Sequence, residues 1–168
     1  MSNSVFQVPY PNNEPILSYT SGSPEKEAVL STYNKMYGEK IDVPMRIGNQ
    51  DVRTDKTANM HPPHDHKHLL GVYHTASQSH IKDAIKAALE AKKAWSEMPW
   101  ESRAAIFLKA AELVAGPYRS QINASTMLAQ SKTIHQAEID AACEYIDFLR
   151  FNVSFMQEIY ENQPENSP

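Results

Sequence analysis

The residue of most chemical interest is Glu144, which heads a row of aromatic side chains, Phe148, Phe151 and Phe155, at steps of four, three and four. That spacing places all four on one helical face. A carboxylate at the margin of an apolar face needs a cationic partner to offset its desolvation. A protein Arg or Lys could serve, and so could the ammonium group of an amino-acid ligand. The plainer alternative is a surface acid paired with a neighbouring cation. Cys143, the only thiol, sits next to it on the apolar side of the same run. A buried Cys of that kind is normally a small hydrophobe rather than a nucleophile. His61, His64, His66 and His68 fall within eight residues and are metal-ligand types. Pro62, Pro63 and Lys67 among them, with no Cys, favour a solvated turn. Glu138 and Asp140 lie two residues apart and point to different helical faces, so they form no acid–base dyad. There is no Gly-rich strand-to-helix turn for a dinucleotide or phosphate, and no G-x-S-x-G elbow. The chain is therefore expected to hold no catalytic residue, no cofactor-binding residue and no metal ligand.

These residues depend on the run that carries them, Thr133 to Asn162, which no Gly or Pro interrupts. It predicts a helix of roughly eight turns at about 3.6 residues per turn. Ile139, Cys143, Ile146, Leu149, Val153, Met156 and Tyr160 make one apolar stripe, and the Phe row makes a second. A helix apolar on two sides needs protein on two sides, more than this chain is expected to supply. Upstream, residues 1–23 are rich in Pro, Asn and Ser and predict an extended arm. Ser23-Pro24-Glu25 reads as a helix start, with Ser at the cap and Pro at the first helical position. That helix should end at Tyr37-Gly38, with Gly38 relieving a left-handed turn. Val43–Thr54, split by Gly48-Asn49, predicts a hairpin. Strands at Lys56–Met60 and Leu69–His74 are expected to extend it into one small antiparallel sheet. From Ser77 the pattern is helical: an amphipathic helix with Ile81, Ile85, Leu89 and Trp95 covering a core, then helices from Trp100 or Ser102 to Val114 and from Tyr118 to about Gln130. The divisions are thus 1–23, the arm; 24–76, helix plus small sheet; 77–162, helical; and 163–168, a short linker. The class of the segment is α+β, mostly helical, with a small antiparallel sheet and a long C-terminal helix.

The 168 residues suffice for one core, and 41% are hydrophobic. No apolar run approaches the roughly 18 residues of a membrane span. Twenty acidic against sixteen basic residues give a formal charge of -4, which offers no electrostatic case for nucleic acid or an anionic membrane. One Cys forms no internal disulfide, and the N-terminus shows neither a secretion signal nor a transit-peptide pattern. The expected location is cytoplasmic.

Several stretches resemble the start of an aldehyde dehydrogenase: Asn13-Glu14-Pro15-Ile16-Leu17 followed by Gly22-Ser23-Pro24-Glu25, then Ala84–Leu89 with Trp95, and Arg103–Ala111. Within that superfamily, Gln136–Ala142 and Glu144–Asn152 are similar to the delta-1-pyrroline-5-carboxylate dehydrogenases. The likeness covers about Asn13 to Pro164. It implies an α/β parent fold in which these elements surround a Rossmann-type domain, usually in homo-oligomers. It also implies oxidation of L-glutamate gamma-semialdehyde to L-glutamate with NAD, in proline breakdown. The catalytic Cys, the Glu that activates water and the cofactor fold of such enzymes lie in segments beyond this chain, which is then an inactive N-terminal portion. Cys143 does not match the nucleophile's motif. The position that matches a family ligand is Glu144, expected to face the substrate's alpha-ammonium group. Ser131 stands where relatives often have Gly, and the His-rich turn is similar to a turn in the family. A second possibility is a non-enzymatic structural or protein-binding module derived from the same fold.

Overall fold

The computed structural model describes residues 6–165. The ends of the arm and of the 163–168 linker therefore lie outside the described residues. Residues 6–20 form no helix or strand and run along the helices as an extended arm. Helix α1 spans Pro24–Gly38, capped as expected by Ser23, whose hydroxyl accepts from the Lys26 amide. Its end differs from expectation. Gly38 keeps a negative φ and Glu39 leaves in an extended conformation, so glycine's left-handed freedom is not used there.

Five short strands follow: β1 Ile41–Val43, β2 Met45–Ile47, β3 Gln50–Val52, β4 Thr57–Met60 and β5 Gly71–His74. The hairpin at Gly48-Asn49 is present as β2–β3, with Gly48 at φ 58. The single antiparallel sheet is not. β4 pairs antiparallel with β5, but β5 also pairs in parallel with β1, giving a separate mixed sheet in the order β1-β5-β4. The loop containing the four histidines is the connection that returns β5 between its two partners. Gly71 makes this approach possible: at φ 149, an added Cβ would lie 2.0 Å from the Ile41 carbonyl oxygen.

Helices α2 Gln78–Glu97, α3 Trp100–Ala115 and α4 Arg119–Gln130 come next. Ser77 caps α2 in a reciprocal arrangement with His80. α2 has no buried residue, and Ile81, Ile85 and Leu89 are more than half exposed. It does not cover a core among the described residues, contrary to its amphipathic pattern. In α3 the inward positions are Ala104, Ala111 and Val114, while Ile106 and Leu113 face out. α4 ends at Ser131, which adopts the left-handed conformation at φ 56. Gly tolerates that region without the steric cost an L side chain meets.

The final run starts at a Thr133–Gln136 capping box and continues to Glu161. It is not uniform: α5, Ile134–Ala137, passes through a π-helical turn, Glu138–Cys143, into α6, Glu144–Glu161. Two apolar clusters hold the helices together. One joins α3 to α6 through Ala111, Val114, Ile146 and Leu149. The other joins the arm, α1 and α4 through Tyr19, Val29 and Ala124. The class is the expected one, α+β and mostly helical with a long C-terminal helical run, apart from the parallel pair in its sheet.

Candidate functional site

The π turn decides which residues of the last run face inward. Reading back from Ile146, Leu149 and Val153 at an α-helical period would bury Ile139. A π turn bonds i to i+5 and accommodates one extra residue. The buried set becomes Ala137 and Glu138, then Ala142 and Cys143 five residues on, then Ile146, Leu149 and Val153. Ile139, placed by its spacing on the inward stripe, instead lies on the other face, 36% exposed.

That face joins Ile139 to Glu144, Phe148, Phe151 and Phe155, five residues then four, three and four apart. With Asn13, Glu14 and Ile16 of the arm they line an open groove of about 660 Å³, whose floor includes Cys143. Glu144 stands in it, exposed, and its carboxylate makes no hydrogen bond or ion pair among the described residues. Asp147, one turn on, is occupied. Its Oδ1 accepts from the Glu14 amide at 2.6 Å and its Oδ2 from Asn13 Nδ2 at 2.7 Å. Of the two carboxylates on this wall, one fastens the arm and the other has no partner among the described residues.

Beneath the groove lies a group of ionised residues that spacing did not single out. Glu138 has no exposed surface. Its Oε1 accepts from the Leu17 amide at 2.8 Å and from Arg119 Nη2. Its Oε2 accepts from the Tyr19 hydroxyl at 2.7 Å, Asn123 Nδ2 at 2.8 Å and Arg119 Nε at 3.3 Å. Arg119 also donates to Glu14 and, at 2.8 Å, to the Pro15 carbonyl. Glu14 takes a further 2.7 Å bond from Arg150. Two carboxylates thus meet two guanidinium groups, and the buried charges balance. Burial alone would push the Glu138 carboxyl up, but the bonds from Arg119, the Leu17 amide, Tyr19 and Asn123 prevail and hold it down at about 2. Burial and the adjacent Glu138 anion push the Cys143 thiol up to about 11, with Arg119 opposing. Its Sγ lies 3.5 Å from Arg119 Nη2. A thiol so placed stays protonated near neutrality and is a poor nucleophile. Glu138 and Asp140 do part company as their spacing implied, with Asp140 paired to Lys132 at 2.9 Å.

Three of the four loop histidines face protein partners, and His66 is exposed. His64 bridges Ser131 Oγ at 2.8 Å and the Tyr33 hydroxyl at 3.1 Å. His68 bonds the Tyr37 carbonyl at 2.7 Å and stacks on the Tyr37 ring, and His61 bonds the His68 carbonyl. Among the described residues no group of three or more His, Cys, Asp or Glu side chains is arranged to hold a metal ion. No helix among them is long and apolar enough to cross a membrane.

The sequence pattern of the Aldehyde dehydrogenase family matches residues 51–168. The chain belongs to that family. It is 45% identical over 98% of its length to a delta-1-pyrroline-5-carboxylate dehydrogenase of Agaricus bisporus, covering 31% of that protein. It is 42% identical over 93% of its length to the human mitochondrial delta-1-pyrroline-5-carboxylate dehydrogenase, covering 28%. The crystal structure of the Mycobacterium tuberculosis delta-pyrroline-5-carboxylate dehydrogenase bound with NAD superposes on 99% of the chain with a TM-score of 0.94 at 42% identity, and 31% of that chain is covered. This aldehyde dehydrogenase chain therefore spans about a third of the length of the relatives it matches.

The family implies a dinucleotide. The left-handed glycines here, Gly22, Gly48 and Gly71, precede a helix without a strand, turn a hairpin and admit a strand, respectively. None builds the glycine-rich strand-to-helix cradle in which backbone amides receive a pyrophosphate. The described residues do not fit that group.

Proposed function

We propose that this chain is the N-terminal portion of an NAD-dependent dehydrogenase that oxidises L-glutamate gamma-semialdehyde to L-glutamate in proline degradation. The observation that carries the reading is the position of Glu144: an unpaired carboxylate beside Phe148 in a groove lined mostly by apolar side chains. The free substrate is an amino aldehyde, and its alpha-ammonium group is the complement of such a carboxylate. A charge-assisted contact of this sort is among the stronger hydrogen bonds. In this reading Glu144 is the substrate-binding residue of the chain, and the groove is one wall of the substrate pocket. NAD and the catalytic thiol belong to the other two-thirds of the parent enzyme, and the chain by itself is inactive. The parent is an oligomer in this reading, and the lone buried thiol suits a reducing compartment such as the cytoplasm. The names of the human and Dictyostelium relatives place those enzymes in mitochondria.

The similarity to named pyrroline-5-carboxylate dehydrogenases supports the substrate class. The exposed Ile81, Ile85 and Leu89 of α2 and Phe148 and Phe155 of α6 suit surfaces that the remaining segments would cover.

The test is an NADH assay with NAD and glutamate semialdehyde. The isolated chain should give no turnover, and the chain continued by the remaining segments of the Agaricus relative should give turnover. Turnover by the isolated chain, or none by the continued one, would overturn the reading. The same exposed faces favour one alternative, a non-enzymatic module that docks on another protein. A monomeric purified chain that binds no apolar dye would exclude it.

A further inference from the structure

The groove has two walls, and only one is a helix. The other, Asn13 to Ile16, belongs to an arm that has no strand pairing. Side chains fasten that arm: Gln157 accepts from the Val8 amide at 2.9 Å, Asp147 from Asn13 and Glu14, and Glu138 from Leu17 and Tyr19. The arm therefore runs antiparallel to α6 and ends against the π turn. Tyr19 is held there at φ 51, a region a bulky L residue seldom enters. A conformation of that kind persists only where the surroundings over-determine it. Here the surroundings are the Tyr19 hydroxyl on Glu138, a 2.9 Å bond to it from Asn123, and packing on Val29 and Ala124.

Simple packing would not require this arrangement. A regular α-helix would place Ile139 inward, in register with Ile146 and Leu149, and an apolar residue there needs no charge partner. The chain instead contains a π turn, a rare element that occurs most often at functional sites, and it buries a carboxylate. The same turn moves Ile139 to the end of the groove, beside Glu144.

We propose that Glu138 is a positioning residue: by fastening Leu17 and Tyr19 to the π turn, it fixes Asn13–Ile16 as the second wall of the groove and so sets the selectivity of Glu144 for an amino aldehyde. The inference rests on the reading of Glu144 as the ammonium contact. Glu138 touches no substrate in this account; it acts through the arm. Arg119 serves the same end, since it ties Glu138 to Glu14 and the Pro15 carbonyl across the base of the wall.

The experiment compares glutamate semialdehyde with propanal, which lacks the ammonium group, in the full-length enzyme. Glu138→Gln loses the anion at the centre of the clamp, and Tyr19→Phe removes only the hydroxyl, with its 2.7 Å bond to Glu138 and the 2.9 Å bond it accepts from Asn123. In Tyr19→Phe the KM for glutamate semialdehyde should rise three- to ten-fold. Its kcat, the KM for NAD and the kinetics with propanal should stay within two-fold. Glu138→Gln should act in the same direction and more strongly, and amide exchange at Leu17 should quicken in both variants while the Ile146 and Leu149 amides stay protected. If Glu138→Gln does not fold, Tyr19→Phe decides alone. A variant that frees the Leu17 amide yet keeps the wild-type ratio between the two aldehydes overturns the proposal, as does an unchanged Leu17 amide. Wild-type enzyme with no preference for glutamate semialdehyde over propanal sinks the Glu144 reading and this inference together. A wild-type preference that survives both variants sinks this inference alone.

Discussion

Glu138 and Ile139 are adjacent in the chain and face opposite ways: the carboxylate has no exposed surface, and the isoleucine is 36% exposed in the groove. The inversion follows from the π turn that begins at Glu138. An extra residue in the turn rotates the preceding helix by about 100° relative to the regular α-helical register. Buried ion pairing and the shape of the groove are two results of one local irregularity.

Glu144→Gln in the complete enzyme should weaken recognition of glutamate semialdehyde and leave NAD affinity nearly unchanged. Loss of one charge-assisted bond costs about 1.5–3 kcal/mol, or roughly ten- to 150-fold in kcat/KM. Steady-state kinetics with each substrate varied in turn provide the check. Unaltered constants would mark Glu144 as a surface acid.

Acid should destabilise the chain through Glu138. Its carboxyl falls from an ordinary 4.5 to about 2 on folding, so its contribution is complete above about pH 4.5 and is lost as pH drops through 2. The loss is on the order of 3 kcal/mol across that window. Urea midpoints between pH 5 and 2 should fall in wild type. In Glu138→Gln they should start lower and vary less with pH.

Gly71→Ala should open the mixed sheet. The new methyl would meet the Ile41 carbonyl at 2.0 Å, and backbone at φ 149 cannot adapt to it. We expect a loss of about 3 kcal/mol or more, with exchange quickening at the Ile41 amide that bonds the Leu70 carbonyl. Protection unchanged at Ile41 would show that the β1–β5 pairing does not depend on the glycine.

Cys143 should resist alkylation. A thiol moved from 9 to about 11 has about 100-fold less thiolate at pH 8 than an ordinary one, and it is 5% exposed. Iodoacetamide labelling followed by mass spectrometry should be slow in native protein and fast in urea.

Ser131→Gly should stabilise the turn after α4 by about 0.5–1 kcal/mol, because φ 56 suits Gly and strains Ser. The lost bond to His64 is exposed and offsets only part of the gain. Thermal unfolding of the two proteins side by side decides the sign.

What the sequence determined by itself was local or collective. Ser23-Pro24 announced its helix, because a cap needs only a side chain and an amide three residues on, and the runs from Ser77 and Thr133 were legible from helical pattern. The Glu144–Phe155 face was legible because helical period alone generates it, and quoted stretches such as Asn13–Leu17 carried the family. Tertiary structure decided the rest. Glu138 reads as one more helical acid until Arg119, Tyr19, Asn123 and the Leu17 amide converge on it, and none of these is a helical neighbour. The turn that admits it answers to those distant charges, so the i to i+4 spacing placed Ile139 on the wrong face. β1 joined β5 in parallel because pairing across a long connection depends on the close approach at Gly71, which alternation cannot report. The pattern of α2 specified an apolar face without specifying what meets it, since amphipathicity records a need for burial and not the partner that supplies it.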